Sequence, residues 1–501
     1  MVATISSKNK IALAAVCLSA IMLGLEITSI PSILPTLEKT LPAEFRQLQW
    51  IMNAYTLAMC SSLVAMGALA DRFGRKRIFM VGITIFGVAS LICGLATSAA
   101  LLIGARFLQG ASAAAMLSCQ VAVLSHQFRD GPERGIAFGW WGIMFGLGLG
   151  FGPIVGGAIL AILSWHWVFL IHVVIAIATV TAARVGVVES GDPHVVRIDL
   201  GGIITLPIAV FGFVYLITQG NEMNLTSSVG KGILAISVAS LLLFVFIELK
   251  SKRPIFDFKA FRIRNFSVAL LGASGMNFSF WPFVIYFPIY LQSVLGYSSV
   301  AAGLIVLAYT LPTIVIPPYA ERLLQKRGPG FVIPVGLFTI GVGFALLHFV
   351  ITSSNSSWLT LLPGCLIAGI GLGLTNTPVT NTSTGSLPPE RAGMASGMEF
   401  SARMISLAIN IAVMGFILIS GVTASLINSV PGNTLAGIAN TVAAGNFNQE
   451  QLHGITVDTA HAAFVHGIGW VTLYGTLAPV IIGLLASFIA EKQSSKLSVA
   501  D

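Results

Sequence analysis

The sequence predicts an all-α membrane protein of fourteen spans, built as two similar halves of six helices with two further helices between them. Of the 501 residues, 55% are hydrophobic and only 9% are charged, whereas a soluble domain carries about 25% charged residues. The hydrophobic residues fall into fourteen stretches of about 20 residues, the length that crosses a bilayer as a helix. A short basic segment occurs twice. So few charges cannot cover a soluble surface of this size, which excludes a water-soluble enzyme.

The fourteen stretches set the predicted spans and the division of the chain. The first six lie near 11–34, 50–70, 78–97, 99–124, 135–160 and 165–188. Two more lie near 199–219 and 230–249, and the last six lie near 267–294, 300–322, 330–351, 358–380, 393–422 and 462–490. We therefore predict an N-terminal half (1–190), two inserted helices with their linkers (191–255) and a C-terminal half (256–501).

Basic residues predict the orientation, because loops on the cytoplasmic side of a membrane carry most of the Lys and Arg. An even number of spans puts both termini on one side. Of the 27 Lys and Arg, only Lys39, Arg46 and Lys231 fall on the opposite side, and only Arg106 and Arg403 fall within spans. We expect a multi-pass protein of the inner (plasma) membrane with cytoplasmic termini. The net charge of +8 then reflects orientation and does not predict a nucleic-acid partner.

A basic segment that follows the second span returns after the tenth. Residues 67–77 read GALADRFGRKR and residues 317–327 read PPYAERLLQKR, so an acid, the next Arg and two final basic residues align without a gap. A second similarity relates RGIAFG at 134–139 to AGMASG at 392–397. Two parallel copies of one unit around a site in the middle of the membrane are typical of transporters whose halves rock against each other.

The first copy of this segment has the chemistry of a latch between helices. Gly67 permits a close helix contact and Gly74 permits a tight turn, while Asp71 can bind the positive N-terminal end of a neighbouring helix. Arg72 and Arg75 belong to a cationic cluster that we expect at the cytoplasmic headgroups. The alternative is a basic loop that only fixes topology. We predict that these five residues gate a conformational change.

These segments resemble known motifs. GALADRFGRKR resembles the loop motif of the major facilitator superfamily, and RFLQG at 106–110 resembles its R-x-x-Q-G motif. With fourteen spans, WIMNAY at 50–55 and YLQ at 290–292, the chain resembles the fourteen-helix drug:proton antiporters of that superfamily over about residues 11–490. The resemblance implies a major-facilitator-type fold without a cofactor, and exchange of a small molecule for protons across the lipid bilayer.

Span five is rich in glycine and carries a further motif. Its glycines include Gly148, Gly152, Gly156 and Gly157, and Pro153 predicts a kink. A smooth, bent helix could pivot or seal against a partner from the other half, so we predict a gating role. The alternative is the close packing of small residues that membrane helices commonly use. The pattern resembles the motif of proton-coupled drug exporters, which implies export rather than uptake.

Ionisable residues within spans are the sharpest functional signal, because a charge in hydrocarbon is costly unless it is paired or wetted. Glu26 in span one has no basic residue three or four positions away. We therefore expect an unpaired carboxylate that faces a cavity and takes up a proton near neutral pH. It would bind either the proton or a cationic substrate. The alternative is a protonated structural residue. The resemblance places Glu26 where the subfamily usually has Asp.

Arg106, Glu399 and Arg403 complete the predicted proton-coupling set. Arg106 in span four either neutralises a carboxylate during proton transfer or ties spans one and four together; the superfamily often links this Arg to the proton path. Glu399 and Arg403 lie four residues apart on one helix face with the acid first, which favours an ion pair. Glu399 stands where the subfamily usually has an amide, so it either adds a second titrating site or only masks Arg403.

Polar and aromatic residues within the spans are candidates for the substrate cavity, because aromatic faces suit lipophilic cations. Together with Glu26 they are Asn53, Tyr55, Trp140, Trp141, Asn277, Phe280, Trp281, Tyr290 and Gln292. His172 in span six could titrate, with core hydrogen bonding as the alternative. The five Cys lie in apolar segments without a metal-ligand spacing, so we expect buried free thiols and no metal site.

The sequence thus predicts a monomeric exporter that exchanges protons for amphipathic, cationic small molecules. A dedicated exporter of one metabolite, such as a siderophore or a lipid, is the alternative. A membrane enzyme is disfavoured because no nucleophile with its base is evident, and ATP-driven transport because no phosphate-binding loop is present. Uptake symport is disfavoured by the span-five resemblance alone. The long outer loop 423–461 is either mobile or a lid.

Overall fold

The computed structural model describes residues 6–41, 45–129, 131–191, 199–219, 227–251, 254, 256–353, 356–447, 452 and 455–490. The regular structure of these residues is helical. The first six helices are α1 (Ser7–Thr40), α2 (Phe45–Phe73), α3 (Arg75–Gly94), α4 (Ala99–Gln127), α5 (Gly131–Ile162) and α6 (His166–Gly186). Two helices follow, α7 (Leu200–Gln219) and α8 (Ser228–Lys250). The others are α9 (Arg264–Gly275), α10 (Phe280–Ser293), α11 (Ser299–Thr310), α12 (Pro312–Val315), α13 (Pro317–Arg327), α14 (Pro329–Thr352), α15 (Trp358–Gly385), α16 (Ala392–Leu426), α17 (Gly432–Ala443) and α18 (Val457–Ile489).

Helix boundaries follow local sequence. Three helices have a serine as the N-cap residue directly before their first residue: Ser98 before α4, Ser227 before α8 and Ser298 before α11. The side chain of each serine accepts a hydrogen bond from a backbone N–H in the first turn. Gly328 has a φ of 77° and separates α13 from α14, whose first residue is Pro329. Such caps satisfy backbone groups that the helices leave unpaired at their ends.

The predicted all-α membrane fold is confirmed. Within the described part of the chain, twelve helices are long and apolar enough to cross a membrane, and a pair of helices bent by 44° makes a thirteenth span. The seventh predicted span corresponds to α7, whose described apolar part, Leu200–Leu216, is shorter than the others. Thirteen of the fourteen spans are therefore supported by length and composition, and the crossing by α7 stays a prediction.

Two of the spans predicted as continuous are broken. The ninth is interrupted between α9 and α10 by a short 3₁₀ helix, Met276–Phe278. The tenth is divided into α11, α12 and α13, and the last two begin at Pro312 and Pro317. Proline lacks the backbone N–H that a continuous helix needs and its ring crowds the preceding turn, which explains why the tenth span bends.

Each set of six spans packs around its own core. In the N-terminal half, α1 packs on α5 and α6, and α4 packs on α2 and α3. In the C-terminal half, α14 packs on α15 and α18, and α16 packs on α18. The two halves meet along α2 with α16 and along α5 with α12 and α13. Helix α16 also packs on α4, and its Phe400 joins the apolar core of the N-terminal half.

The inserted helices α7 and α8 pack on each other at one edge of this interface. Leu206 and Val210 of α7 join an apolar cluster with Leu57 and Val64 of α2 and Ala408 of α16. Helix α8 lies farther out, and only 17% of its span is buried in the protein. The pair therefore leans against both halves at the α2–α16 contact. The domain boundaries at residues 190 and 255 stay predictions.

The long loop after α16 contains the helix α17. Ile438 and Val442 of this helix are buried in the core of the C-terminal half. Gly445, at a φ of 77°, follows the helix and lies against Ile289 and Ser293 of α10. Among its described residues, the loop thus covers the end of the C-terminal half.

Candidate functional site

The carboxylate predicted to be unpaired is paired. Glu26 is fully buried, and its Oε1 accepts a hydrogen bond from Nη1 of Arg106. His172 lies on the other side, with Nε2 3.4 Å from Glu26 Oε2. Both partners come from other helices, α4 and α6, which neighbour spacing along α1 cannot reveal. The expectation of an unpaired carboxylate is therefore wrong, and Glu26 lies out of contact with solvent in this arrangement.

Arg106 is held in place from three sides. Its Nε donates to the backbone carbonyl of Ile51 (3.0 Å) and its Nη1 to Oε1 of Gln109 (2.7 Å). The guanidinium lies 4.5 Å from the centre of the Tyr55 ring. The amide of Gln109 in turn donates to Ser90 of α3 at 2.9 Å. The geometry thus combines both interpretations of Arg106, since it neutralises Glu26 and joins α1 to α2 and α4.

The C-terminal half contains a second buried ion pair, Glu399 with Arg403, in which both carboxylate oxygens accept hydrogen bonds. Arg403 Nε donates to Glu399 Oε1, as the spacing of four residues predicts. Its Nη2 donates to the carbonyl of Asn376 (2.9 Å) and to the hydroxyl of Thr380 (2.8 Å). Glu399 Oε2 accepts from Thr380 at 3.4 Å. Both oxygens of Glu399 therefore have partners, whereas Glu26 Oε2 has no hydrogen-bond partner.

The predicted latch joins the two halves. Asp71 at the end of α2 accepts hydrogen bonds from the backbone N–H groups of Gly393 (3.1 Å) and Met394 (2.9 Å) in the first turn of α16. Arg75 donates to Asp71 (2.8 Å) and to the carbonyl of Glu390 (2.9 Å). The expected binding of Asp71 to a helix N-terminus is confirmed. Arg75 is buried in the latch rather than placed at the headgroups.

Two glycines make this approach possible. A Cβ added at Gly67 would collide with the carbonyl oxygen of Gly393, so the backbones of α2 and α16 touch there. Gly74 has a φ of 106°, and a Cβ there would lie 2.7 Å from the carboxylate of Glu189. Arg72 is half-buried beside the latch and takes no part in the bonds described above. We call the end of the bundle that contains Asp71, Arg75 and Gly393 the basic end.

The second copy of the basic segment forms a related contact on the other side of the basic end. Arg134 at the start of α5 donates to Asn381 Oδ1 (2.6 Å) and to Thr384 (3.1 Å) of α15. Glu321, which aligns with Asp71, is buried and accepts from the amide of Asn381. Gly135, which aligns with Gly393, lies close to Glu321. The sequence repeats therefore meet crosswise between the halves, and polar contacts close the basic end on both sides.

Two of the motif glycines of α5 face their own half. A Cβ at Gly148 would lie 2.9 Å from the Cα of Gly24 in α1, and one at Gly152 would collide with Thr28. Gly156 is buried and Gly157 is exposed. The expectation that these glycines face the other half is thus wrong for Gly148 and Gly152. Four other glycines of α5 face the other half instead and lie against α11, α12, α13 and α15: Gly139, Gly142, Gly146 and Gly150. The side chain of Pro153 lies outside the described residues, and its kink stays a prediction.

A substitution of Gly148 separates packing from gating. We expect Gly148→Val to lower the stability of the folded protein by about 1–3 kcal/mol, the usual cost of overpacking, because the new side chain would force α1 and α5 apart. The thermal midpoint of the detergent-purified protein, followed by size-exclusion chromatography after heating, measures this change. Gly157→Val is the control, since a Cβ there meets nothing within 4 Å. Equal midpoints for the two variants would contradict the packing role.

The candidate cavity residues fall into separate places. Trp141 is buried, donates to Gln120 (3.0 Å) and meets the ring of Phe400 from the other half at 6.3 Å. Trp140 is exposed and lines a cleft of about 410 Å³ between α5 and α13. Asn277 is buried and donates to the carbonyl of Arg403 at 2.7 Å.

The other candidates lie in the C-terminal core or near its surface. Phe280 is buried with its ring stacked at 4.0 Å on that of Tyr309, and Tyr290 belongs to the same core. Asn53 and Trp281 are half-buried, and Gln292 is exposed. Among the candidate cavity residues other than Glu26, the contacts of the described residues bring Tyr55 alone to the Glu26–Arg106 pair. A substrate role for the others stays a prediction.

The described residues contain no group of three or more His, Cys, Asp or Glu that could hold a metal ion. The five cysteines are buried and form no disulfide. The partners that sequence reasoning did not assign to the buried charges are Gln109, Asn376, Thr380 and His172. The RFLQG motif could have suggested Gln109 as a partner of Arg106, because these two residues lie three positions apart and so share a helix face.

Two helical halves, each with a buried ion pair and joined at one end by polar contacts, are the architecture of membrane transporters whose halves rock against each other. A sequence model of the Major Facilitator Superfamily matches residues 16–411, and the chain belongs to this superfamily. Its members carry small molecules across membranes and are not enzymes. The protein is accordingly a multi-pass membrane protein.

Relatives of this chain include resistance proteins. The puromycin resistance protein pur8 of Streptomyces alboniger is 30% identical over 485 residues, covering 96% of this chain and 92% of its own length. The multidrug resistance protein Stp of Mycobacterium tuberculosis is 29% identical over 409 residues, covering 82% and 76%. The multidrug efflux pump LfrA of Mycolicibacterium smegmatis is 27% identical over 465 residues, covering 91% and 92%.

Solved structures show the same fold. The human organic anion transporter MFSD10 superimposes with a TM-score of 0.63 at 14% identity, over 97% of this chain and 100% of its own. The proton:xylose symporter XylE superimposes with a TM-score of 0.61 at 12% identity, over 96% of this chain and 95% of its own.

Proposed function

We propose that the protein exports amphipathic, cationic small molecules in exchange for protons that move inward. The observation that carries the proposal is the contrast between the two buried acids. Glu399 has a partner for each oxygen, whereas Glu26 leaves Oε2 unsatisfied in a buried site. An unsatisfied buried acceptor is costly, so Glu26 is the acid better placed to gain a proton. The relatives named above, which are drug resistance and efflux proteins, support export of such compounds.

The pairing with Arg106 changes how Glu26 acts. Because Glu26 is buried and its charge is matched, we assign it the proton and not direct contact with the cargo. Protonation of Glu26 would leave Arg106 as an uncompensated positive charge. A cationic cargo about 10 Å away would then be repelled by roughly 1.7 kcal/mol at an effective dielectric constant of about 20. Proton binding and cation binding would thus exclude each other through Arg106, which is the competition that exchange requires.

The closed basic end supports a direction for the cycle. If the basic loops face the cytoplasm, as the distribution of Lys and Arg predicts, the arrangement is closed on the cytoplasmic side. This is the state in which an exporter releases cargo and receives a proton from outside. An inner-membrane location, cytoplasmic termini and a monomeric state belong to the same proposal.

Inverted membrane vesicles test the function directly. In vesicles that contain the protein and hold an acidic interior, we expect ethidium to accumulate, and a protonophore to abolish the accumulation. Vesicles from cells without the protein serve as the control. Transport of a neutral, a monovalent and a divalent compound should be compared, because the repulsion by Arg106 acts on cations only and therefore couples their transport, and not that of a neutral compound, to the proton. Failure of the proton gradient to drive any of the three would contradict the proposal, and export of one endogenous metabolite alone would favour a dedicated exporter.

A further inference from the structure

We propose that Glu26 and His172 share one proton, so that the proton site of the exporter is a pair of side chains on α1 and α6 rather than Glu26 alone. This inference rests on the proposed function. His172 is fully buried, and its ring meets the ring of Phe86 edge-on at 6.0 Å. Whether His172 can share a proton with Glu26 depends on which of its ring nitrogens carries hydrogen, and the hydrogen bond that the ring makes to the backbone determines this.

The backbone fixes the tautomer of His172. Its Nδ1 lies 3.0 Å from the carbonyl oxygen of Val168, one turn earlier in α6. A carbonyl oxygen can only accept a hydrogen bond, so Nδ1 must carry the hydrogen. In the neutral ring, Nε2 then has a lone pair and no hydrogen. This lone pair points into the site of the ion pair.

The lone pair of His172 faces a second lone pair. Nε2 lies 3.4 Å from Glu26 Oε2, and neither atom has a hydrogen-bond partner in the described structure. Without a further proton, two buried acceptors oppose each other. One added proton, on either atom, turns this opposition into a hydrogen bond between Glu26 and His172. The two groups therefore bind a single proton together, and neither group by itself provides a site of this kind.

The charged and titratable groups around Glu26 and His172 allow the shared proton to be released again. On α4, Arg106 binds the other oxygen of Glu26. Two titratable groups of α2 and α3 lie near enough to feel the charge of Glu26: the Tyr55 hydroxyl, which has no hydrogen-bond partner, and the Cys93 thiol, 3.8 Å from Gln109 Oε1. Helix α5 contributes Gly148 and Gly152 where it packs against this part of α1. With Arg106 close by, the shared proton adds a second positive charge, which keeps its binding reversible.

Proton counting tests the pair without any cargo. The detergent-purified protein in weakly buffered solution is moved from about pH 8 to about pH 6, the range in which histidine titrates, and the protons taken up per molecule are measured. We expect Glu26→Gln and His172→Gln each to lose about one proton relative to the unsubstituted protein. The double variant should lose no more than either single variant, because both substitutions remove the same site.

His348 provides the matched control. It is half-buried in α14, and its described hydrogen-bond partners are the carbonyl of Gly469 (2.9 Å) and the hydroxyl of Thr472 (3.1 Å), neither of which is an acid. The losses of Glu26→Gln and His348→Gln should therefore add in the double variant. Additive losses for Glu26 and His172 would overturn the proposal. So would a ¹⁵N spectrum of labelled histidine in which the signal absent from His172→Gln shows hydrogen on Nε2 at about pH 8.

Transport separates this inference from the proposed function. In inverted vesicles with ethidium as the probe, His172→Gln should remove the dependence of transport on pH, while His348→Gln should keep it. If the unsubstituted protein moved no ethidium, the proposed function would fail, but proton counting would still decide whether Glu26 and His172 form one site. If ethidium transport kept its pH dependence in His172→Gln, the shared site would be refuted and the exporter would remain.

Discussion

Glu26→Gln is expected to reduce proton-driven ethidium transport to the level of vesicles without the protein. The amide cannot take up a proton, and it leaves Arg106 as a permanently uncompensated charge in the N-terminal half. Removing one partner of a buried ion pair costs about 3–5 kcal/mol, so the amount and the oligomeric profile of the variant in the membrane must be measured beside its transport. Dye accumulation in inverted vesicles at matched protein levels gives the result.

Two further substitutions make this outcome interpretable. Glu26→Asp keeps the carboxylate, although one methylene shorter, and should retain proton-dependent transport at a reduced rate. Glu399→Gln breaks the other buried pair, whose acid has both oxygens bonded. It should lower stability but leave the remaining transport dependent on the proton gradient. Full activity of Glu26→Gln at normal levels would refute the assignment, as would loss of proton dependence in Glu399→Gln alone.

The helices and the internal repeat were predictable because they depend on signals that can be read directly along the sequence. Apolar stretches of membrane length predict spans, and thirteen of them are supported. The alignment of Asp71 with Glu321 and of Gly393 with Gly135 indicated two copies of one unit. Asp71 indeed bonds to the helix start of the other half, whereas Glu321 lies close to Gly135 but bonds to Asn381 of its own half.

The sequence suggested that Arg106 neutralises a carboxylate or joins α1 to α4, but it did not show that Glu26 is the partner, because that depends on which helices become neighbours. Spacing along α1 detects partners on α1 only, whereas Arg106 and His172 belong to α4 and α6. The direction of the glycines in α5 was missed for the same reason. Successive glycines along a helix point to different sides, so Gly148 meets α1 while Gly146 meets α12. A pattern of small residues predicts close packing but does not name the partner.

Gly67→Val is expected to open the basic end and to slow transport strongly. A Cβ at this position collides with the carbonyl oxygen of Gly393, and backbone cannot rotate away as a side chain can. Forcing α2 from α16 would also stretch the bonds from Gly393 and Met394 to Asp71. If the closed state loses about 1–3 kcal/mol, as overpacking commonly costs, its population relative to the open state falls roughly five- to 150-fold.

Distances between spin labels measure this shift independently of transport. Phe73 of α2 and Lys326 of α13 are exposed at the basic end and belong to different halves, so labels there report the separation of the halves. The distribution should move to longer distances in Gly67→Val, and ethidium transport should fall with it. Gly104→Val in α4 is the matched control, because a Cβ there meets nothing within 4 Å, and it should leave both unchanged. An unaltered distance distribution in Gly67→Val would show that the contact of α2 with α16 does not control closure, because the collision would then have been absorbed within one half.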